Sequence, residues 1–336
     1  MNSHVQQGTG FLTLHQVSSQ PSQRVLRAAV VGAGVFGRHH AAKYLRLPGV
    51  TLTAIADPDP DARRHAAAHL HVPAVADWRE LLGEVDIVSV CSPAITHAEI
   101  VRAFLESGTH VLVEKPIATT LDEAEELIAL ALFRGLVLTV GHQERFVFAK
   151  SGLLDHGHVP QLIECVREGP WTGRGTDVSV VLDLMIHDLD LVHQLVPGDF
   201  SRVQAVGHSV YGGSADAVTA NLTFKNGAKV ELVANRAAKA RRRSMRLVYE
   251  DGEIGIDFLT RKVTNTTGRA LQPFEMQDPL WESVAAFATA ARAGAAALVR
   301  PEEARRALET ALAIEGSLLP AAALQAEKRA RLRRTA

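Results

Sequence analysis

The chain has 336 residues, of which 36 are basic and 37 acidic, giving a formal net charge of -1. This length predicts about two domains, and the balanced charge excludes the positive field of a nucleic-acid-binding or membrane-surface protein. With 47% hydrophobic and 22% charged residues, the composition is that of a folded globular protein and excludes an intrinsically disordered chain. Small molecules are therefore the expected partners.

The first 23 residues precede the first predicted strand and lack the basic and apolar regions of a signal peptide, so we expect a flexible extension. No uncharged window reaches the roughly 20 residues that cross a bilayer, which argues against a membrane partner. Cys91 and Cys165 both lie among apolar neighbours, as buried free thiols of a reducing compartment do. These features predict a cytoplasmic protein.

From Leu26 to about Val140, short β-rich runs alternate with amphipathic runs, which predicts βαβ units and a doubly wound parallel sheet. The predicted strands are AAVVG, LTAIAD, DIVSVCS, HVLVEK and LVLTVG. The last helix between them, LDEAEELIALALFR, is predicted to begin with Thr120 or Asp122 as its capping residue and to end at Gly135.

A glycine-rich turn follows the first strand and precedes a helix. Gly32, Gly34 and Gly37 have the spacing of a dinucleotide site. The first glycine permits a tight turn, the second lets a pyrophosphate approach the backbone, and the third lets the helix pack on the strand. We predict that this turn, with Val35 and Phe36, binds the cofactor.

Asp57 ends the second strand, where a carboxylate accepts hydrogen bonds from the adenosine ribose. This position predicts NAD as the cofactor. NADP remains the alternative, because Arg63 and Arg64 follow closely and could pair with a 2′-phosphate.

After about Lys150 the runs alternate as in an antiparallel sheet. Asn226-Gly227 and Asp251-Gly252 each lie between two such runs and predict hairpins with type I′ turns, which need positive φ. From Asp278 onward the spacing is helical again, and Pro301 has the position of a helix start.

Two segments carry side chains suited to catalysis. Lys115 follows the strand HVLVEK at the carboxyl edge of the parallel sheet, where ligands bind, although a surface lysine is the alternative. In VLDLMIHDLDLVHQL, a helix would put Asp183, His187 and Asp190 on one face and Asp188 elsewhere. A histidine can take a hydroxyl proton while a hydride leaves the same carbon. The alternative is a capping or core histidine.

The remaining histidines lack the companion ligands of a zinc site, so we predict no metal and expect solvated side chains. They include His39, His40, His65, His69, His71, His156 and His158.

Together these motifs resemble the glucose-fructose oxidoreductase, inositol dehydrogenase and MocA (Gfo/Idh/MocA) family of NAD(P)-dependent oxidoreductases over about residues 26–320. The resemblance is carried by GAGVFG, Asp57, SPAITH, EKP, GHQERF and DLMIHDLD. It implies an α/β fold with a Rossmann domain at 24–145. It also implies an α/β domain for substrate binding and oligomerisation at 146–325, built on a large mostly antiparallel sheet, and leaves a basic tail at 326–336. The family's subunits often associate through that sheet, which implies a homodimer or homotetramer.

The resemblance also implies roles for single residues. Lys115 would contact the reacting hydroxyl, His187 would be the general base, and Asp183 would hold the substrate or the histidine. The bond before Pro116 is expected to be cis. The implied lining of the cofactor pocket is Ser92, Pro93, His97, Glu114, Lys115 and His142.

VGHQERF and REGPWTGRGTDVSVVLDLMIHDLDLV are similar to the branch that oxidises the 3-hydroxyl of UDP-N-acetylglucosamine and supplies a 3-keto-sugar aminotransferase. Arg145, Arg167 and Arg174 would join Lys115, Asp183 and His187 in binding substrate, because guanidinium groups suit a diphosphate. The family's Asn-Pro is replaced here by Val147-Phe148. The alternatives are a dehydrogenase of a free sugar, an inositol or a nucleotide-linked uronate, and a non-catalytic NAD-binding regulatory protein.

Overall fold

The computed structural model of the protein describes residues 24–154, 157–173, 175–272 and 278–320. The predicted extension 1–23 and the basic tail 326–336 lie outside the described residues. Two sheets organise the described chain, one with six strands and one with eight. The predicted α/β class, with a Rossmann sheet followed by a large mostly antiparallel sheet, is confirmed.

The first sheet is parallel and has the strand order β3-β2-β1-β4-β5-β6. Its strands are β1 (Leu26–Val31), β2 (Val50–Ala56), β3 (Ala74–Val75), β4 (Ile87–Val90), β5 (His110–Val113) and β6 (Leu138–Val140). The helices are α1 (Val35–Tyr44), α2 (Pro60–Leu70), α3 (His97–Glu106) and α4 (Leu121–Arg134). All five predicted strands are present. The sequence pattern does not predict β3, because a strand of two residues shows no periodicity.

Helix α4 has the predicted ends. The Thr120 hydroxyl accepts a hydrogen bond from the Glu123 amide, and the Glu123 carboxylate accepts one from the Thr120 amide. Gly135 ends the helix with a φ of 64°. Such reciprocal capping satisfies amides that the helix itself leaves without acceptors.

The second sheet has the order β13-β12-β11-β7-β10-β9-β8-β14, in which only the pairs β7/β10 and β8/β14 are parallel. Its strands are β7 (Leu162–Glu168), β8 (Phe200–His208), β9 (Ala217–Phe224), β10 (Lys229–Asn235), β11 (Arg242–Tyr249), β12 (Gly252–Asp257), β13 (Lys262–Asn265) and β14 (Leu318–Pro320). The helices of this half are α5 (Glu144–Ser151), α6 (Ile186–Leu195), α7 (Pro279–Ala293) and α8 (Pro301–Gly316), and a π-helical turn (Val181–Met185) precedes α6.

Both predicted hairpins form, between β9 and β10 and between β11 and β12, but the predicted type I′ turns are wrong. That turn needs positive φ at both central residues. Among the described non-glycine residues only His71 and Arg261 have positive φ, so Asn226 and Asp251 do not. Gly227 alone supplies the left-handed residue of the first turn, with a φ of 90°.

The chain returns to the first sheet at α7, which the sequence division assigns to the second domain. Leu280, Val284 and Phe287 of α7 belong to the hydrophobic cluster formed by β1, α1 and β2. Lys43 on α1 pairs with Asp278, the capping residue of α7, at 2.5 Å. The C-terminal helices therefore tie the two halves together. Within the described ranges, none of the helices is long and apolar enough to span a bilayer.

Candidate active site

Each glycine of the first turn has the geometry that the motif predicts. A Cβ on Gly32 (φ 97°) would lie 2.6 Å from the Cys91 carbonyl oxygen, and one on Gly37 would lie 1.7 Å from the Gly32 carbonyl oxygen. A Cβ on Gly34 would meet no protein atom within 4 Å. Helix α1 begins there with no side-chain cap and no acidic residue in its first turn, and Val35 and Phe36 are exposed. The main-chain amides of this first turn, which no side chain caps, suit a pyrophosphate.

We expect Gly34→Val to weaken NADH binding about tenfold or more while leaving the melting temperature nearly unchanged, because the added side chain would fill the open space over the helix terminus. Fluorescence titration with NADH and thermal unfolding would measure the two effects. Gly37→Val is the contrasting variant, since its side chain would collide with the backbone and lower the melting temperature. Unchanged NADH affinity in Gly34→Val would contradict this location of the pyrophosphate.

Asp57 lies beside the glycine turn at the end of β2. Its Oδ2 accepts a hydrogen bond from the Ala33 amide at 2.6 Å, so the carboxylate also supports the turn. The Arg63 guanidinium donates to the Asp57 carbonyl oxygen at 2.7 Å, and Arg64 pairs with Asp61. Both arginines thus have partners, which supports NAD over NADP; ribose binding by Asp57 stays a prediction.

Lys115 follows β5 and contacts the second domain. Its Nζ donates to the main-chain oxygen of Asp183 at 2.6 Å and to the carboxylate Oδ1 at 3.0 Å. The bond between Lys115 and Pro116 is cis, as the resemblance implied. Asp183 lies in the π-helical turn, where the regular helical hydrogen bonds are interrupted. The fold therefore joins two of the predicted catalytic residues.

His187 lies in the first turn of α6, beyond the π-helical turn. Its Nδ1 is buried, and no described residue bonds to it. Burial lowers the pKa of His187 well below the ordinary 6.5, and the positive charges of Lys115 and Arg167 lower this pKa further. The imidazole is therefore neutral near pH 7 and can accept a proton.

His142, predicted to contact the cofactor, lies beside His187 in an edge-to-face contact with ring centroids 6.3 Å apart. Both of its ring nitrogens are buried and lack partners within the described residues. The contact of its Nε2 with Asp190 is 3.9 Å, too long for a hydrogen bond. Buried polar atoms usually have partners, so these nitrogens indicate a place for polar groups of a ligand.

Arg167 is held in a buried ion pair and is not open to substrate, contrary to the prediction. It donates to both oxygens of Glu144, at 3.0 and 2.6 Å, and to both oxygens of Asp188, at 3.1 and 2.7 Å. Burial would lower the pKa of Arg167, but these two carboxylates raise it well above its ordinary value. Four guanidinium contacts are thus used to join α5 and α6 to β7.

Arg145 has a similar position and also departs from the prediction. It makes two hydrogen bonds to Asp190, at 2.8 and 2.6 Å, and a third to Glu303 of α8. Because these carboxylates occupy the guanidinium, the structure gives Arg145 a role in packing instead of substrate binding. Arg174, the third predicted arginine, lies outside the described residues.

His97 connects the loop after β4 to the segment that contains Lys115 and Pro116. The His97 ring nitrogens lie 2.7 Å from the Pro116 carbonyl oxygen and 3.0 Å from that of Ser92. Pro93 precedes the short helical turn that leads into α3. Cys91, just before this loop, is free and partly exposed, whereas Cys165 is free and buried as predicted. Contact of this loop with the cofactor stays a prediction.

Glu114, the residue before Lys115, lies in a buried polar network. It accepts hydrogen bonds from His40 Nε2 at 2.9 Å and from Gln143 at 3.2 Å. The prediction of a solvated His40 is wrong, because its side chain is 1% exposed and its Nδ1 also contacts Ser89 Oγ at 3.0 Å. Its spacing from Gly37 could have indicated an inward position. Other histidines of that group are exposed as expected: His39, His65, His69, His71 and His158.

No group of three or more histidine, cysteine or acidic side chains in the described part of the chain could hold a metal ion. The candidate site consists of Lys115 after β5, Asp183 in the π-helical turn, His187 on α6 and His142 after β6.

Two models of known protein families match the chain. The NAD-binding Rossmann fold of the oxidoreductase family matches residues 26–142, and the GFO/IDH/MocA C-terminal domain matches residues 155–255. The first domain is thus an NAD-binding Rossmann domain.

The chain is similar to several dehydrogenases of sugars and inositols. The UDP-N-acetylglucosamine 3-dehydrogenase of Acidithiobacillus ferrooxidans is 36% identical over 235 residues, which are 70% of this chain and 74% of that protein. A solved structure of that enzyme has a TM-score of 0.81 at 32% identity and covers 87% of this chain and 97% of that one. The inositol 2-dehydrogenase/D-chiro-inositol 3-dehydrogenase of Halalkalibacterium halodurans is 30% identical over 191 residues, 53% of this chain and 55% of that protein.

The scyllo-inositol dehydrogenase of Lactobacillus casei, solved with NAD(H) and scyllo-inositol, has a TM-score of 0.75. It covers 88% of this chain and 97% of that one at 20% identity, and therefore shows a shared fold.

Proposed function

Because this chain belongs to the Gfo/Idh/MocA family of NAD-binding oxidoreductases, we propose that it oxidises the 3-hydroxyl of UDP-N-acetylglucosamine to a ketone. The observation that carries the proposal is the pairing of Lys115 with Asp183 close to the half-buried His187, whose pKa is lowered by desolvation and by the charge of Lys115. The substrate is proposed from the similarity to the Acidithiobacillus ferrooxidans enzyme, at 36% identity.

When bound at the glycine turn, NAD⁺ would accept the hydride that leaves the carbinol carbon. The neutral imidazole of His187 accepts the hydroxyl proton. Lys115 donates a hydrogen bond to the same oxygen and stabilises the negative charge that develops there. Asp183 holds the ammonium group through its carboxylate and its carbonyl oxygen. His142 offers ring nitrogens to the ligand.

The depressed pKa of His187 predicts the pH dependence of oxidation. Only the neutral imidazole accepts a proton, and its pKa in the free enzyme lies well below 6.5. We expect kcat/KM to stay level as the pH falls through 6.5 and to decrease only at lower pH. Initial rates in overlapping buffers would measure this. A decrease centred at or above pH 6.5 that His187→Ala abolishes would contradict the lowered pKa of His187.

The proposed function is tested by mixing the purified protein with NAD⁺ and UDP-N-acetylglucosamine and following the absorbance of the reduced cofactor. A reagent that traps 3-keto sugars should raise the yield, and NMR of the trapped product should show the oxidised carbon. Parallel reactions contain N-acetylglucosamine, myo-inositol and a UDP-linked uronate. Oxidation of one of these in place of the nucleotide sugar would overturn the substrate. Bound NAD without any oxidation would indicate a regulatory protein.

The proposed reaction also suggests a partner enzyme, a compartment and an oligomeric state. A 3-keto sugar is a substrate for an aminotransferase, so we propose such an enzyme as the downstream partner. We also propose that the protein acts in the cytoplasm as a homodimer or homotetramer, as the resemblance to its family implies. Light scattering coupled to gel filtration would test the oligomeric state.

A further inference from the structure

Arg243 occupies an inward-facing position at the start of β11. The strand alternates, with Met245, Leu247 and Tyr249 buried on the face that packs into the core. Arg243 shares that face and is half-buried, whereas its neighbour Arg242 lies on the opposite, exposed face. The register places a positive charge where the rest of the strand carries core side chains.

The strand partner of Arg243 is another arginine. In the antiparallel pair of β11 and β7, Arg243 lies directly opposite Arg167, so both side chains project from the same face. Arg167 already contacts all four carboxylate oxygens of Glu144 and Asp188. In residues 24–154, 157–173, 175–272 and 278–320, no acceptor bonds to the guanidinium of Arg243.

Other buried arginines of this domain have carboxylate partners. Arg145 pairs with Asp190, and Arg236 pairs with Asp216 at 2.7 Å. Arg243 instead has its pKa lowered, first by burial and then by the charge of Arg167. A partly desolvated cation without a partner gains more from an incoming anion than a solvated one does.

Arg243 is connected through Arg167 to α6, the helix that carries His187. Arg167, directly across the strand pair, bonds to Asp188, and Asp188 follows His187 in the chain. The charge of Arg243 is also among those that lower the pKa of His187. An anion bound by Arg243 would thus belong to the same ligand whose hydroxyl reaches His187.

We propose that Arg243 binds the diphosphate of the nucleotide-sugar substrate, in the role that the sequence assigned to Arg145 and Arg167. The inference rests on the proposed function and adds a residue that separates nucleotide-linked sugars from free ones. The planar guanidinium can give two parallel hydrogen bonds to phosphate oxygens. Arg241, exposed directly before β11, adds to the positive potential at Arg243.

The test measures the affinity of UDP for the NADH-loaded protein by titration calorimetry. Arg243→Gln should weaken UDP binding by about 10- to 100-fold, the effect of losing a charged hydrogen-bond donor. Arg243→Lys keeps the charge but loses the planar contact, and should weaken binding about threefold or more. Arg242→Gln is the matched control, since Arg242 pairs with Glu168 at 3.1 Å on the other face. It should leave UDP affinity unchanged.

NADH affinity and melting temperature, measured for every variant, separate ligand binding from folding. UDP affinity in both Arg243 variants equal to that of Arg242→Gln would overturn the inference, whatever happens to stability. If the wild type oxidises UDP-N-acetylglucosamine and Arg243→Gln leaves its KM unchanged, the subsite fails and the proposed function stands. If UDP affinity depends on Arg243 but only a free sugar or inositol is oxidised, the subsite stands and the proposed substrate fails.

Discussion

Replacing His187 by alanine is expected to lower kcat for sugar oxidation by about 10²- to 10⁴-fold, the usual contribution of a general base. Lys115→Ala should lower kcat by about 10²- to 10³-fold, because the oxygen of the substrate would lose a charged donor as negative charge develops. NADH affinity should change little in both variants, because the predicted contacts with the pyrophosphate and the adenosine ribose are made by the glycine turn and Asp57, which stay intact. Rates of NAD⁺ reduction and fluorescence titration with NADH measure the two quantities.

His208→Ala is the control for the first substitution, because His208 is exposed at the end of β8 and takes no part in the described contacts of the site. It should keep the wild-type rate. The double variant Lys115→Ala/His187→Ala should lose less than the product of the two single losses, as residues acting on one oxygen do. A double variant that retains substantial turnover would refute both roles.

Arg167→Gln is expected to lower the free energy of unfolding by about 3 to 5 kcal/mol, because it would leave Glu144 and Asp188 buried without their cation. Burial raises the pKa of Asp188 even though the charge of Arg167 opposes this. Of the two carboxylates, Asp188 is therefore the one that is less stable in its charged form. Urea unfolding followed by circular dichroism would measure the loss.

Two further variants make the Arg167 experiment decisive. Arg242→Gln removes an exposed arginine of the adjacent strand and should cost no more than about 1 kcal/mol. Combining Arg167→Gln with Glu144→Gln and Asp188→Asn removes the uncompensated charges and should recover part of the stability. If Arg167→Gln instead unfolds like the wild type and raises only the KM of the sugar, Arg167 binds substrate as the sequence suggested.

The carboxylate contacts of Arg167 and Arg145 hold α6, the helix that carries the proposed base His187. Arg167 fixes α5 and α6 to β7, and Arg145 fixes α6 to α8 through Asp190 and Glu303. His187 directly precedes Asp188 on α6, in the same turn as both anchoring carboxylates. We therefore expect substitutions in these ion pairs to change both the stability of the domain and the position of His187 relative to Lys115.

The sequence alone determined the features that depend on short-range pattern. The buried strands, the capped helix after Thr120 and the glycine turn each follow from residues within one or two turns of the chain. The helical spacing also placed Asp183 and His187 close together, and the carboxyl-edge rule placed Lys115 at the cleft.

Only the tertiary structure decided which side chains bind one another. Arg145, Arg167 and Arg243 look alike in the sequence, yet two are neutralised by carboxylates from distant segments and one is left without a partner among the described residues. His40 is likewise held by Glu114, 74 residues away. Local spacing fixes the face on which a side chain lies, but the charge and solvation it meets there depend on elements that only folding brings together.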